Sequence, residues 1–396
     1  MRRQLGLYGL VLAFGMGAVG LVHAARGPRE APWALTYPLV ALLSVPAVEL
    51  ALLRSGFRPD RLLLPLTAAL LSVGLATLYR LSPDLAARQA TAVCAGLVAM
   101  VASAHWVARA RAGEGAGPLW GAAFLVLVAL PPFLPGGGEL APPLVDLGVV
   151  AFQPLGLAVV FLVVFCAFQL ARERRAFVGA MVAAGVLLLL VQRDVGGAAT
   201  VLVTTLGVAY VATGQAKPLA VVAAVFGAVV LVAHPLLPHL TPRVQGWLDP
   251  WSDPAGGGYQ TLQATFALAS GGLFGAGPGA GHPDLVPAAH TDLTLVAVGE
   301  EWGFAGILAV LTLYAVWTAR VLKAAISASE TFPRLVAAGV AVAVGAQAFV
   351  VAAGNVRLLP LVGLPLPFLS YGVSWIVGHL ALLGLALGVS HRAGGR

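Results

Sequence analysis

Apolar residues run through this chain in long blocks, broken by short charged or Pro- and Gly-rich stretches. A block of about 20 apolar residues is long enough to cross the hydrocarbon core of a bilayer as a helix. Twelve blocks lie near residues 4–24, 34–53, 62–79, 90–108, 118–134, 152–171, 176–192, 196–213, 217–234, 295–319, 334–354 and 366–389. They are too long and continuous for barrel strands, and lipid offers no water to satisfy an open backbone. The pattern therefore predicts an all-α integral membrane protein of about 12 transmembrane helices. Two connections depart from the short-loop rule. One is the Gly- and Pro-rich stretch 135–151; the other, 235–294, is by far the longest, and long connections in compact proteins usually carry function.

Composition sharpens this picture. Of the 396 residues, 59% are hydrophobic and 10% charged. A soluble domain needs roughly a quarter of its residues charged, so most of this surface faces something other than water. The net charge of +7 suggests nucleic acid only in a soluble setting. Here it marks loops on one membrane side, the basic runs are short, and no nucleic-acid partner is expected. Cys94 and Cys166 sit inside apolar blocks without disulfide or metal spacing. Met1-Arg2-Arg3 and the apolar stretch after it have the look of a signal peptide, but Leu5 to Ala24 is long for one and more spans follow, which predicts a retained first helix.

Loop charges predict the orientation. With the N-terminus in the cytoplasm, 16 of the 23 Lys and Arg fall on the cytoplasmic side, and 11 of the 16 Asp and Glu on the other. That asymmetry is what the positive-inside rule asks of an even number of spans with both ends cytoplasmic. The 235–294 connection is then extracytoplasmic.

That connection carries most of the candidate chemistry. It reads Arg243…Trp247-Leu248-Asp249-Pro250, then Tyr259-Gln260 and Gln263, then Ser270-Gly271-Gly272 opening a glycine run through Gly275, Gly277 and Gly279, and ends in His290-Thr291-Asp292. A glycine run can take positive φ and let backbone approach a ligand closely. Asp292, Glu300 and Glu301 fall at the start of, or inside, an apolar helix, where ionisable groups are costly and usually functional. Asp292 and Glu300, eight residues apart, would share one helix face. A carboxylate there can accept a proton from a sugar hydroxyl, or Asp292 can simply N-cap the helix, while Glu300 and Glu301 can pair with Arg243 or Arg88. His282, Asp284, His290 and Asp292 lack diagnostic metal spacing; a transient divalent cation, Mg or Mn, bridging a diphosphate fits better than a structural metal. Elsewhere, Asp194 follows the seventh helix. Asn355 precedes the proline-broken stretch containing Pro367, Ser370 and Tyr371, which is suited to lining a cavity.

In this order, Arg88-Gln89, Phe152-Gln153-Pro154, Gln192 with Asp194-Val195-Gly196, Arg243…Asp249-Pro250, Gly258-Tyr259-Gln260…Gln263, Ser270-Gly271-Gly272, His290-Thr291-Asp292…Glu300-Glu301 and Leu366-Pro367-Phe368…Ser370-Tyr371-Gly372 resemble the SEDS family (shape, elongation, division and sporulation), to which RodA and FtsW belong. The resemblance covers roughly residues 62–390. It implies a ten-helix core, a two-helix N-terminal addition over 1–61 and a short cytoplasmic tail over 391–396, in the bacterial cytoplasmic membrane. It further implies a glycosyltransferase that polymerises lipid II, the undecaprenyl-diphosphate-linked peptidoglycan precursor, during elongation or division, beside a class B penicillin-binding protein. Asp292 matches the family's essential acid; Arg243 and Arg88, with Arg193 and Arg357 behind them, are the candidates to meet the diphosphate. Two departures stand out. The family's Glu and Lys after Gln-Pro are here Gly156 and Val159, and its Tyr-Gly-Gly-Ser-Ser is here Tyr371-Gly372-Val373-Ser374-Trp375. The lost charges motivate an alternative reading as a catalytically weak scaffold of a cell-wall synthesis complex, and acids within helices motivate another as a precursor transporter or flippase.

Overall fold

The structure is a computed structural model that describes residues 2–26, 32–110, 116–133, 145–146, 151–233 and 240–394. Most of the 135–151 connection and the first residues of the 235–294 connection lie outside this set. Every predicted apolar block is a helix: α1 (Arg2–Arg26), α2 (Thr36–Arg54), α3 (Leu63–Leu81), α4 (Pro83–Arg109), α5 (Gly117–Ala129), α6 (Leu155–Leu170), α7 (Arg175–Val191), α8 (Val195–Thr213) and α9 (Ala216–Ala233). The long connection is no plain loop. It holds two short helices, α10 (Thr241–Leu248) and α11 (Tyr259–Gly271), before α12 (Thr294–Ser327), α13 (Thr331–Asn355) and α14 (Val373–Gly394). A two-residue antiparallel ladder pairs Val145 with Phe152 and Asp146 with Ala151. Among the described residues, eight helices are long and apolar enough to span a membrane, and four more are shorter and apolar. The chain is a multi-pass membrane protein.

Several boundaries move, each for a local reason. The fourth helix begins at Pro83 rather than near 90, because the Ser82 side chain accepts from the Leu85 N–H and Pro83 opens the helix. Arg88 and Gln89 are therefore helical. The last helix begins at Val373 rather than 366, since the chain first turns over residues 367–370, where the Leu369 and Ser370 N–H groups donate to the Leu366 carbonyl and Phe368 takes φ 64°. The helix at 294 runs 34 residues, well past its predicted end, but is broken at Gly303 (φ 68°).

α14 lies at the centre of the bundle. Its residues from Trp375 to Val389 are almost all buried, packed against α4, α6, α12 and α13. Where lipid removes the hydrophobic drive between helices, small residues permit close packing. On α14, a Cβ at Gly384 would lie 2.1 Å from the Met100 carbonyl oxygen, and one at Gly388 2.1 Å from Val107 Cγ1, while Ser103 Oγ donates to the Ala381 carbonyl across the same interface at 2.8 Å. α9 is the opposite case, with Val221, Val225, Val229 and Val232 all exposed. Charged residues from distant helices meet at one end of the bundle. Arg320 pairs with Asp60, and Arg392 pairs with Glu330 at 2.7 Å while donating to the Val107 and Ala110 carbonyls. Asp292, Asp194, Arg243 and Glu301 lie at the other end.

Candidate active site

Asp292 sits in the turn just before α12, half-buried, and three neighbours fix that turn. The Tyr371 N–H donates to the His290 carbonyl at 2.7 Å, and Asn355 Nδ2 donates to the Asp292 carbonyl at 2.7 Å. Ser370 Oγ donates to Thr294 Oγ1 at 2.8 Å and accepts from the Leu366 N–H at 2.9 Å. Gln89 closes the circuit from α4. Its Nε2 donates to the Ser370 carbonyl at 3.0 Å and its Oε1 accepts from the Gly372 N–H at 3.1 Å. His290, Thr291, Asp292, Asn355, Ser370 and Tyr371, all singled out from the sequence, thus come together. Pro367 lies just behind, its carbonyl accepting from the Tyr314 hydroxyl. Gln89 and Thr294 complete the same network; Gln89 entered the sequence reading only beside Arg88 in the family match, and Thr294 not at all.

The Asp292 side chain does not cap the helix. Leu293 holds that position, and no side chain accepts a capping hydrogen bond there. The carboxyl takes a hydrogen bond from Thr291 and feels Arg243 and His290. Burial raises it above the usual carboxylate range; the Arg243 guanidinium, Thr291 and His290 pull the other way and do not cancel the shift. His290 is pushed down by burial and partly restored by Asp292.

Arg243 reaches this site from α10, which is stapled to the end of α13. Trp247 Nε1 donates to the Arg357 carbonyl at 3.1 Å, and Arg357 Nε donates back to the Trp247 carbonyl at 3.1 Å. Arg357 spends its guanidinium on that staple, so it serves structure rather than a diphosphate. The Arg243 guanidinium lies against Gly363, where a Cβ would be 3.1 Å from Nη2. It also acts electrostatically on Asp194. Asp194 caps α8, with Oδ1 accepting from the Gly197 N–H at 2.7 Å, while its buried Oδ2 has no hydrogen-bond partner. Burial raises the Asp194 carboxyl despite the Gly197 bond and Arg243. One exposed guanidinium thus stands between two carboxyl groups raised by burial.

Other expectations need correction. Asp292 and Glu300 do not share a helix face, because Asp292 precedes the helix. Glu300 and Glu301 are buried and spent on structure. Glu301 pairs with Arg80 at 3.1 Å, Arg80 Nη2 donates to the Gly281 carbonyl at 2.7 Å, and Glu300 Oε1 accepts from the His282 N–H at 2.9 Å. The partner of Glu301 is Arg80 and that of Glu300 is the His282 backbone, neither Arg243 nor Arg88. The glycine run approaches this knot. At Gly275 (φ 80°) a Cβ would lie 2.2 Å from the Glu301 carbonyl oxygen, and at Gly271 a Cβ would lie 2.0 Å from that of Gly299. Gly272 follows it at φ 51°, open to its surroundings, and the Ser270 hydroxyl turns back to the Ala267 carbonyl. Arg88 is exposed, and no side-chain contact ties it to the site. Tyr259, Gln260 and Gln263 lie on α11, Tyr259 exposed and both Gln partly so. Gln153 is engaged elsewhere: its Oε1 accepts from Trp375 Nε1 at 2.7 Å and its N–H donates to Ser374 Oγ. Among the described residues, no group of three or more His, Cys, Asp or Glu side chains gathers as a metal-binding set.

The family model of the FtsW, RodA and SpoVE cell cycle proteins matches residues 64–394. The peptidoglycan glycosyltransferase RodA of Mycobacterium tuberculosis is 33% identical, over 94% of this chain and 87% of its own length. A chain solved in a peptidoglycan synthase complex superposes with a TM-score of 0.69 at 31% identity, covering 85% of this chain and 98% of that one. RodA of Thermus thermophilus superposes with a TM-score of 0.62 at 28% identity, covering 84% and 96%. The chain belongs to the FtsW/RodA/SpoVE family of cell cycle proteins.

Proposed function

We propose that this protein is a peptidoglycan glycosyltransferase that polymerises lipid II at the outer face of the cytoplasmic membrane, with Asp292 as its general base. The observation that carries the assignment is the state of Asp292. Its turn is bonded in place on both sides, yet its carboxyl caps nothing and stands within the field of a cation. The carboxylate takes the proton from the acceptor sugar hydroxyl, and the hydroxyl oxygen attacks the donor's anomeric carbon. The bond from that carbon to the diphosphate oxygen breaks, and undecaprenyl diphosphate leaves with the bonding pair. A general base works best with a pKa near the working pH, and the raised carboxyl moves in that direction. Arg243 supplies the charge that a departing diphosphate needs, in a planar fork suited to phosphate oxygens.

The loop-charge asymmetry supports the orientation, with both termini cytoplasmic and Asp292 outside. The chain solved within a peptidoglycan synthase complex supports a class B penicillin-binding protein as partner. Purified protein with that transpeptidase should convert lipid II to glycan strands, and Asp292→Ala should make none. An active Asp292→Ala protein would overturn the choice of base.

One observation favours the scaffold reading. At Gly156, a Cβ would lie 2.8 Å from the Trp375 Cα, so the family's charged position is filled by helix-to-helix contact. Wild-type protein that makes no strands while supporting growth with or without Asp292 would establish that reading instead.

A further inference from the structure

On the lipid-facing flank of the bundle, a cavity of about 340 Å³ opens between α2 and α4. It is lined by Thr36, Tyr37 and Val40 of α2 and by Ala90, Thr91 and Cys94 of α4. Both helices start at the Asp292 end and run the same way. Arg26, which closes α1, donates to the Tyr79 and Arg80 carbonyls where α3 gives way to α4, while Phe57, just past α2, stacks on His391 at the far end. Thr36 and Ala90 therefore mark the mouth of the cavity, and Val40 and Cys94 its inner end about 6 Å deeper. Tyr37, Val40 and Thr91 are exposed, so the cavity opens sideways, and the exposed Leu43 and Val98 carry its apolar wall further down.

Arg88 stands one turn outside the mouth, on the face of α4 that carries Thr91. Thr91 Oγ1 donates to the Arg88 carbonyl at 2.8 Å. Side chains on a helix lean toward its start, so the guanidinium rises toward the headgroup level while its stem lies along apolar surface. It is exposed, and among the described residues no carboxylate pairs with it, although Asp84 is exposed one turn further out. A guanidinium fork without a protein partner at that level suits phosphate oxygens. The cavity beneath it fits an extended hydrocarbon chain, whereas a helix is about 10 Å across. Charge above and hydrocarbon below are the two halves of an anionic lipid.

We infer that Arg88 and the α2–α4 cavity bind an anionic phospholipid of the leaflet on the Asp292 side, its phosphate at Arg88 and an acyl chain between the helices. Recognition depends on Arg88 and the cavity alone, not on the reaction at Asp292. The lipid nevertheless bears on the active site through α4. Gln89, the next residue, turns inward to hold the Ser370 carbonyl and the Gly372 N–H. A lipid wedged between α2 and the first turns of α4 braces the helix from which those bonds are made.

The test uses the full-length protein in phosphatidylcholine nanodiscs doped with a phosphatidylglycerol that carries a diazirine near its acyl ester. On irradiation, the label should concentrate on residues 36–40 and 90–94, and added unlabelled phosphatidylglycerol should compete it away where the bulk phosphatidylcholine does not. Arg88→Gln should cut the labelling about fivefold, and Arg88→Lys should keep most of it. Val40→Trp, which fills the cavity, should abolish it. These positions are exposed, so all three variants should melt in detergent as wild type does, and lost label then reports the site. Label spread evenly over other lipid-facing residues, such as Leu10 and the valines of α9, would mean annular lipid only and overturn the inference. Undiminished labelling of Arg88→Gln would do so too. Competition by a polyprenyl phosphate stronger than that by phosphatidylglycerol would give the cavity to a different lipid and equally overturn it.

Discussion

At Asp292 stability and chemistry pull in opposite directions. Its carboxyl is raised above the unfolded value by burial, so the folded protein binds the proton more tightly than the unfolded chain. Stability contributed by this group is complete below the unfolded carboxylate value, about 3.9, and is lost as pH rises through the folded value. Asp292→Asn removes that loss. The variant should melt above wild type in detergent at neutral pH, with the difference closing as pH falls toward the unfolded carboxylate range, and it should be inactive throughout. Equal melting temperatures at neutral pH would mean the carboxylate is fully solvated. Arg243 opposes the shift, so Arg243→Ala should move the acid limb of kcat for lipid II polymerisation to higher pH, whereas Arg243→Lys should move it less. An unmoved limb would separate Arg243 from Asp292. Sequence named both residues, but not their relation, because their contact depends on where α10 docks. The acids at 300 and 301 show the same limit. An ionisable pair inside an apolar helix flagged importance, while its partner Arg80 is 221 residues from Glu301 and no local pattern pairs them.

Helices were legible wherever a block of hydrocarbon-length apolar sequence defined them, and least legible where polar residues began or interrupted one. α4 gained about two turns from a cap that hydropathy does not register. α10 and α11 were hidden because a short interfacial helix carries no long apolar run, although Pro242 near the start of one and the glycines ending the other were visible. The glycine run predicted positive φ correctly. Its closest approach is to the broken turn of α12, where Phe304 and Ala305 donate to the Gly272 and Leu273 carbonyls at 2.9 and 3.0 Å. Gly303 is the pivot: at φ 68° a Cβ there would sit 2.4 Å from the Gly275 nitrogen. Gly303→Ala should therefore destabilise the fold by about 1–3 kcal/mol through strain and overpacking, measurable as faster proteolysis between α11 and α12. Gly156→Ala should do the same between α6 and α14, since Gly378 packs on the Gly156 carbonyl so closely that its own Cβ would lie 2.0 Å away. If either alanine variant matched wild type in melting temperature, these close approaches would not constrain the bundle.

For the molecule as a whole, charge decides which end faces the cytoplasm. Asp60 with Arg320 and Glu330 with Arg392 tie helices together at one end, while Asp194, Arg243 and Asp292 share the other. A bilayer crossing the bundle between these ends separates the two sets, and the excess of Lys and Arg lies with the first. The positive-inside rule predicts that the first end is cytoplasmic. Both native cysteines lie in helices, one buried and one partly so, so replacing them with alanine leaves a background for new thiols. On that background Asp284→Cys, exposed in the connection before α12, should react with a membrane-impermeant maleimide in intact cells whose outer barrier has been removed. Glu173→Cys, exposed between α6 and α7, should react only after the membrane is permeabilised. The opposite pattern would put Asp292 on the cytoplasmic face, away from any extracytoplasmic strand synthesis, and would remove the glycosyltransferase mechanism. Equal labelling at both positions before permeabilisation would mean mixed insertion, which the 16-to-7 split of basic residues argues against.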